Sequence, residues 1–217
     1  MNLRIFCATA TGKCYNTLHA HALCKMELSQ EDNNKMGRQY STLTDEDMEF
    51  IKLQKVFYIA SASSREVNLS PKGYDSIRVI DGKSVLFLDY PGSGDRTARD
   101  IREGGDVTLM FTAYTGKPSI LRLFCKGQII EKTDHRFTEL LGHFTGCDER
   151  LIRRILIFDI YTVERSCGKS VPIMKFVEER RDLIDATSKL RDAGTLMKFI
   201  EEHKRPPVLK SPPLIQQ

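Results

Sequence analysis

Between residues 56 and 130 the apolar positions do not recur at helical spacing. They come instead in short runs rich in β-branched and aromatic residues: "VFYIAS", "EVNLS", "SIRVI", "SVLFLDY", "DVTLMFTAY" and "SILRLFCKGQII". Most are bounded by Gly, Pro, Asp or Ser, so the pattern predicts six strands. Asp81-Gly82 between the third and fourth runs predicts a two-residue hairpin of type I′, whose central positions both want positive φ. "TGKP", residues 115–118, predicts the next hairpin. Short loops between neighbours point to an antiparallel barrel or sandwich and not to a parallel sheet with crossover helices.

Helical patterns flank this body. "STLTDEDMEFIKLQK" opens with hydroxyls and acids suited to a helix start and puts Met48, Ile51 and Leu53 on its apolar face. Thr133 to Arg150 reads as a helical excursion, "RRILIFDIYTVER" as one more long strand, and "PIMKFVEERRDLIDATSKLRDAGTLMKFIEEH" as largely helical. The fold class expected is mainly β with helices: a compact antiparallel barrel decorated by helices at both ends and one crossing element.

Residues 1–40 are expected to be a disordered N-terminal extension, 41–203 the barrel domain with its C-terminal helix, and 204–217 a tail. The tail "RPPVLKSPPLIQQ" holds four of the eight prolines, whose fixed φ and missing donor suit neither helix nor sheet interior. Residues 1–35 have no acid before Glu27 and carry Arg4, Lys13 and Lys25, a weak echo of an organelle import signal that would imply mitochondrial import. Met36 followed by "GRQYS" fits the loose N-myristoylation pattern of an internal start. An extension without either role is the preferred reading.

With 217 residues, 41% of them hydrophobic and 29% charged, the chain can bury a core without metals or disulfides. The formal charge of +4 comes from 33 basic residues interleaved with 29 acidic ones, so no nucleic-acid partner is expected. Pairs such as Arg153-Arg154 and Arg180-Arg181 read as solvated faces. The six cysteines form no CxxC pair, so neither a metal site nor a disulfide framework follows, and a cytoplasmic protein with reduced thiols is expected. No apolar run reaches membrane-spanning length.

Candidate chemistry centres on "LDYPGSGDRTARDIREGG", residues 88–105. It is neither a dinucleotide fingerprint, since Thr97 stands where the third glycine belongs, nor a P-loop, which needs Gly-Lys-Ser/Thr. What remains is a strand end, a tight Gly-Ser-Gly turn and a helix start with Arg96 and Thr97 in its first turn. That arrangement suits an anion, but Asp95 is a natural N-cap and would satisfy the same N–H groups, the preferred local reading. "VNLSPKGYDS" adds Lys72 in a rigid turn, and if Lys72 faced Arg96 the two cations would make an anion site.

The ordered run "VFYIAS…VNLSPKGYDSIRVIDGKSVLFLDYPGSGDRTARDIREGGDVTLMFTAY…LRLFCKGQII" resembles the pyridoxamine 5′-phosphate oxidase-like group of FMN-binding split barrels, over roughly residues 45–180. The resemblance is to an uncharacterised branch with "NLSPKG" and "GSG" signatures. It implies a homodimer of six-stranded split barrels with FMN at the subunit interface. Asn68, Leu69, Ser70 and Lys72 match the stretch along the flavin. Arg96 and Thr97 match the basic pair that holds the phosphate, with Thr97 replacing a lysine, and Arg122 matches the position that approaches the ring. Cys167 in "SCGKSVPIMKF" is read as a packed turn thiol. The oxidase proper carries a Trp-rich C-terminal region; this chain has no Trp, so vitamin B6 oxidation is not expected.

The resemblance implies a flavin-dependent oxidoreductase acting on a small molecule, with a nicotinamide reductant as a partner, in which the cofactor carries the electron chemistry. No catalytic residue is assigned, and His135 and His143 are read as surface or capping residues. The alternative is a noncatalytic flavin-binding or interaction protein on the same dimeric barrel.

Overall fold

A computed structural model describes residues 37–63, 66–92 and 94–205. The chain divides into residues 1–38 and 39–217, and the fold below is that of the second unit. The expected N-terminal extension up to residue 36, the thiols Cys7, Cys14 and Cys24, the internal start at Met36, Ser93 and the tail from residue 206 lie outside the described residues.

Helix α1 (Asp45–Leu53) follows the N-terminal strand β1 (Arg38–Tyr40), of which Gln39 and Tyr40 belong to the second unit. Strands β2 (Phe57–Ala62), β3 (Val67–Lys72), β4 (Ile77–Asp81) and β5 (Ser84–Asp89) come next, then helix α2 (Arg96–Arg102). Strands β6 (Asp106–Thr112) and β7 (Ile120–Glu131), helix α3 (Phe137–Leu141), a 3-10 turn (Glu149–Leu151) and β8 (Arg154–Ser166) precede helices α4 (Asp182–Asp192) and α5 (Leu196–Glu202).

The strands form one antiparallel sheet in the order β3-β2-β6-β7-β8-β5-β4, with β1 beside β8. This is the expected fold class, with eight strands among the described residues in place of six, and the sheet is left open between β3 and β4. It is nevertheless strongly coiled. Phe57 on β2 meets Phe87 on β5 edge to face at 5.9 Å, although three strands separate them in the sheet order. The interior is the alternate-residue set such a coil dictates: Phe57 and Ile59, Val107, Leu109 and Phe111, Leu121 and Leu123, Leu156, Phe158, Ile160 and Val163.

The step from Ile160 to Val163 breaks that alternation. Phe124 pairs with Thr162 and Cys125 with Ile160, so Tyr161 is an extra residue, and the bulge moves the inward phase along by one. Strand β5 is buried on both faces. Val85 and Phe87 point into the barrel, while Leu86 and Leu88 pack under Phe137, Phe144 and Ile152 of the α3 region. Double burial explains why "SVLFLDY" reads as an unbroken apolar run.

Four local expectations are corrected. Leu53, assigned to the buried face of α1, is exposed, because the helix ends there; Ile51 is buried in the core and Met48 and Phe50 pack against it. The β4–β5 hairpin exists, but Asp81 pairs with Ser84, so its turn residues are Gly82 and Lys83, and neither has positive φ. The Asp81 carboxylate accepts the Lys83 N–H at 2.7 Å to form the turn. Residues 42–43 cross the hairpin closely at this point: a Cβ at 82 would sit 2.5 Å from Thr42 Cγ2, so the Thr42 side chain would have to turn away to admit any other residue. Residues 172–181 are exposed and not helical, so the C-terminal helical region begins only at Asp182.

Arg153 and Arg154 give the fourth correction. They are 8% and 1% exposed, not solvated, because Asp89 at the end of β5 and Asp95 before α2 bring carboxylates to them. His135 and His143 lie on the surface as expected. No helix among the described residues is long and apolar enough to cross a membrane.

Candidate functional site

Strand β3 is an edge strand, which is why Pro71 is tolerated within it. Its alternation turns Asn68, Ser70 and Lys72 to one side and Val67, Leu69 and Pro71 to the other. On the first side, between β3, the end of β5 and the start of α2, lies a cavity of about 500 Å³. That volume falls within the roughly 300–1,000 Å³ of small-molecule sites.

Five of the seven residues singled out from the sequence line this cavity: Asn68, Ser70, Lys72, Arg96 and Thr97. Leu69 does not, since strand alternation places it outward at 64% exposure. Arg122 does not line it either. It stands opposite Glu164 across β7 and β8 and donates to Glu164 Oε1 at 3.1 Å and Ser166 Oγ at 3.0 Å.

Lys72 is half-buried, with its Nζ 5.7 Å from the centre of the Phe87 ring. Among the described residues no carboxylate or hydrogen-bond acceptor lies within bonding distance of that ammonium. Burial lowers its pKa from the ordinary 10.5; Asp89 opposes the shift and Arg153 adds to it. A cation held in this way gains most from an anionic ligand.

Lys72 and Arg96 share the cavity but are not turned toward each other. Arg96 pairs with Glu66, as does Arg99. Glu66 precedes β3, six residues from Lys72, whereas Asn68 at the same end of the strand donates to Thr97 Oγ1 at 3.0 Å. Four residues of strand separate Asn68 from Lys72, about 13 Å at ~3.3 Å each. The cavity is therefore elongated, with the α2 start at one end and the lysine toward the other.

Asp95 does not act as expected. Its side chain makes no cap bond to α2. Instead the carboxylate is 3% exposed and accepts from Arg154 Nη1 at 2.9 Å. Next to it, Arg153 donates from Nε to Asp89 Oδ2 at 3.0 Å and from Nη2 to Asp89 Oδ1 at 3.2 Å. The two arginines and two aspartates neutralise one another, which leaves Lys72 as the uncompensated charge on that wall.

Sequence reasoning missed Asp89, Arg153, Tyr74 and Tyr90, all of which line the cavity. Tyr74 has φ 57°, the left-handed region that non-glycine residues occupy infrequently, and its ring meets Tyr90 edge to face at 5.8 Å. The available signal was a bulky aromatic directly after Lys72-Gly73. Leu183 of α4 also reaches the cavity, so the C-terminal helix helps to shape it. No group of three or more His, Cys, Asp or Glu among the described residues could hold a metal ion. Cys167 is a half-buried free thiol beyond β8 and does not line the cavity.

No protein-family model matches the chain. It is similar to the pyridoxamine 5′-phosphate oxidase family protein ustO of Aspergillus flavus, with 34% identity over 139 residues. That match spans 62% of this chain and 56% of the relative, so the chain covers little more than half of that protein's length. The resemblance read from the motifs thus extends to a curated protein of that family. Among solved structures, the chain is similar to an FMN-binding protein from Syntrophomonas wolfei, with 12% identity and a TM-score of 0.42, covering 74% of this chain and 100% of that one. It is also similar to the FAD binding protein from Mycobacterium smegmatis, with 8% identity and a TM-score of 0.42, covering 58% and 96%.

Proposed function

We propose that this chain, a relative of the pyridoxamine 5′-phosphate oxidase family, binds FMN in the cavity between β3, β5 and α2 and acts as a flavin-dependent oxidoreductase on a small molecule. The observation that carries the reading is the half-buried ammonium of Lys72. It faces a cavity of small-molecule size that also gathers Asn68, Ser70, Arg96 and Thr97. A desolvated cation without a protein counter-charge fits a phosphorylated, electron-poor ligand better than a neutral one.

In this reading Arg96 and Thr97 hold the phosphate, and Asn68, Ser70 and Lys72 lie along the flavin. Arg96 gives up part of its pairing with Glu66 to do so. The flavin supplies reversible hydride or electron transfer when bound. The protein's part is to fix the phosphate, to place positive charge beside the ring through Lys72 and to wall the site with Tyr74, Tyr90 and Phe87. Asp89 is held by Arg153 and has no assigned proton-transfer role.

A homodimer completes the reading. The outward face of β3 leaves Val67 and Leu69 77% and 64% exposed directly behind the cavity wall, an apolar edge suited to a second copy of the chain. The test of the whole reading is a titration of the purified protein with FMN and riboflavin, followed by NADH or NADPH under air. Tighter binding of FMN than riboflavin, flavin reduction and oxygen consumption are expected. Failure to bind either flavin refutes the site, whereas binding without reduction by any donor leaves a noncatalytic flavin protein.

A further inference from the structure

Behind the cavity wall runs a chain of hydrogen bonds whose direction is fixed at its buried end. Asp100 is fully buried and its Oδ1 accepts from Arg99 Nε at 2.9 Å and Nη2 at 2.6 Å, while Ser63 Oγ, 3.0 Å from Oδ1, divides its one proton between Asp100 and the nearer Glu103. An ion-paired carboxylate has no proton to give. Ser61 Oγ, 2.6 Å from Asp100 Oδ2, therefore donates to it. With its one proton committed, Ser61 can only accept from its other neighbour. That neighbour is Asn68 Nδ2 at 3.1 Å.

The amide orientation of Asn68 is thereby settled by the network. Its second N–H goes to Thr97 Oγ1 at 3.0 Å, and its Oδ1 accepts from Ser70 Oγ at 3.3 Å. The flipped amide would place Oδ1 against a Ser61 oxygen that has no proton left. Two consequences reach the cavity. Thr97 receives a hydrogen bond from within the protein, and its own proton has no acceptor among the described residues. Ser70 spends its proton on Asn68 and offers lone pairs.

We infer that Asp100 and Ser61 are positioning residues that set the polarity of the cavity wall: by holding Asn68 as the donor to Thr97 they keep the Thr97 proton from being spent on Asn68 and leave that hydroxyl free to donate to an anionic, acceptor-only group of the ligand. This rests on the reading of the cavity as an FMN site and assigns the Thr97 proton to the phosphate. Neither Asp100 nor Ser61 lines the cavity, so neither touches the ligand.

The readout that separates polarity from mere structure is the preference for FMN over riboflavin, which differ only in the phosphate. Full-length wild type, Ser61→Ala, Asp100→Asn, Thr97→Val and Thr97→Ser are titrated with both flavins. Thr97→Val and Ser61→Ala are expected to lose about tenfold of the FMN preference, the worth of one hydrogen bond to a charged group, while riboflavin affinity stays within about twofold. Thr97→Ser, which keeps the hydroxyl, is expected to retain the preference. Asp100→Asn is expected to behave as Ser61→Ala does; Ser61→Ala carries the test if that buried substitution unfolds the protein. An unchanged preference in Ser61→Ala and Thr97→Val, with wild type favouring FMN, overturns the relay and leaves the flavin site standing. An equal loss of both flavins in Ser61→Ala reduces Ser61 to a structural role and also overturns it. A wild type that binds neither flavin overturns the site and the relay together.

Discussion

Replacing Lys72 by Met is expected to move stability and binding in opposite directions. Met keeps most of the stem that lies by Phe87 and removes only the ammonium. Burial holds that group below its ordinary pKa of 10.5, so folding without ligand works against its charge. The sign follows from linkage: the penalty is fully present below the lowered folded-state value and is relieved as pH rises from there toward 10.5. Lys72→Met without flavin is therefore expected to melt at a higher temperature than wild type at pH 7, with the gap narrowing as the solution is made alkaline. FMN affinity is expected to fall. One hydrogen bond to a charged partner is worth about 1.5–3 kcal/mol, or roughly 10- to 150-fold in Kd. Differential scanning calorimetry of the flavin-free proteins and quenching of FMN fluorescence measure the two halves. A lower melting temperature together with unchanged FMN affinity would show that Lys72 is an ordinary structural lysine and not a flavin ligand.

Arg154→Met removes the nearest partner of the buried Asp95 carboxylate and leaves it Arg102 at 3.5 Å and Arg153 at 3.7 Å, so a loss of about 1.5–3 kcal/mol in urea unfolding is expected; adding Asp95→Asn is expected to recover much of that loss, and additive losses would contradict the pairing. Gly105→Ala would push a Cβ to 2.3 Å from the Ala62 carbonyl oxygen and 2.9 Å from that of Asp100. Because both are backbone atoms and cannot swing aside, a loss of about 1–3 kcal/mol or more is expected, against near-neutrality if the α2–β6 turn is loose. Leu69→Lys is expected to convert a dimer to a monomer in light scattering while circular dichroism stays unchanged; a dimer that persists would place the interface elsewhere.

The barrel was legible because its strands carry their burial in their alternation, and β5 in its unbroken apolar run. The order of the strands and the coil that brings Phe57 to Phe87 were implied only through family resemblance, since no local pattern encodes which distant strands pair. The Tyr161 bulge was hidden because a one-residue phase shift looks like ordinary irregularity until the β7 register is known. Residues 172–181 read as helix because Ile173, Met174, Phe176 and Val177 cluster, yet the structure leaves all four exposed.

For the site, the motif residues on β3 and at the start of α2 were legible, but their relations were not. Arg153 and Arg154 looked like surface charges because their partners Asp89 and Asp95 lie 64 and 59 residues away. The same pairing removed Asp95 from its anticipated cap. Leu69 and Arg122 were carried by motif alone, and strand alternation and the β8 partner Glu164 place both outside the cavity.

The most direct measurement is the absorbance spectrum of the purified full-length protein, with mass spectrometry of whatever is released on denaturation and an FMN titration if the preparation is colourless. A flavin site in this cavity predicts flavin bands with FMN as the released species, or stoichiometric binding of added FMN that Lys72→Met weakens by at least about tenfold. A colourless protein that gives no signal with added FMN would contradict it.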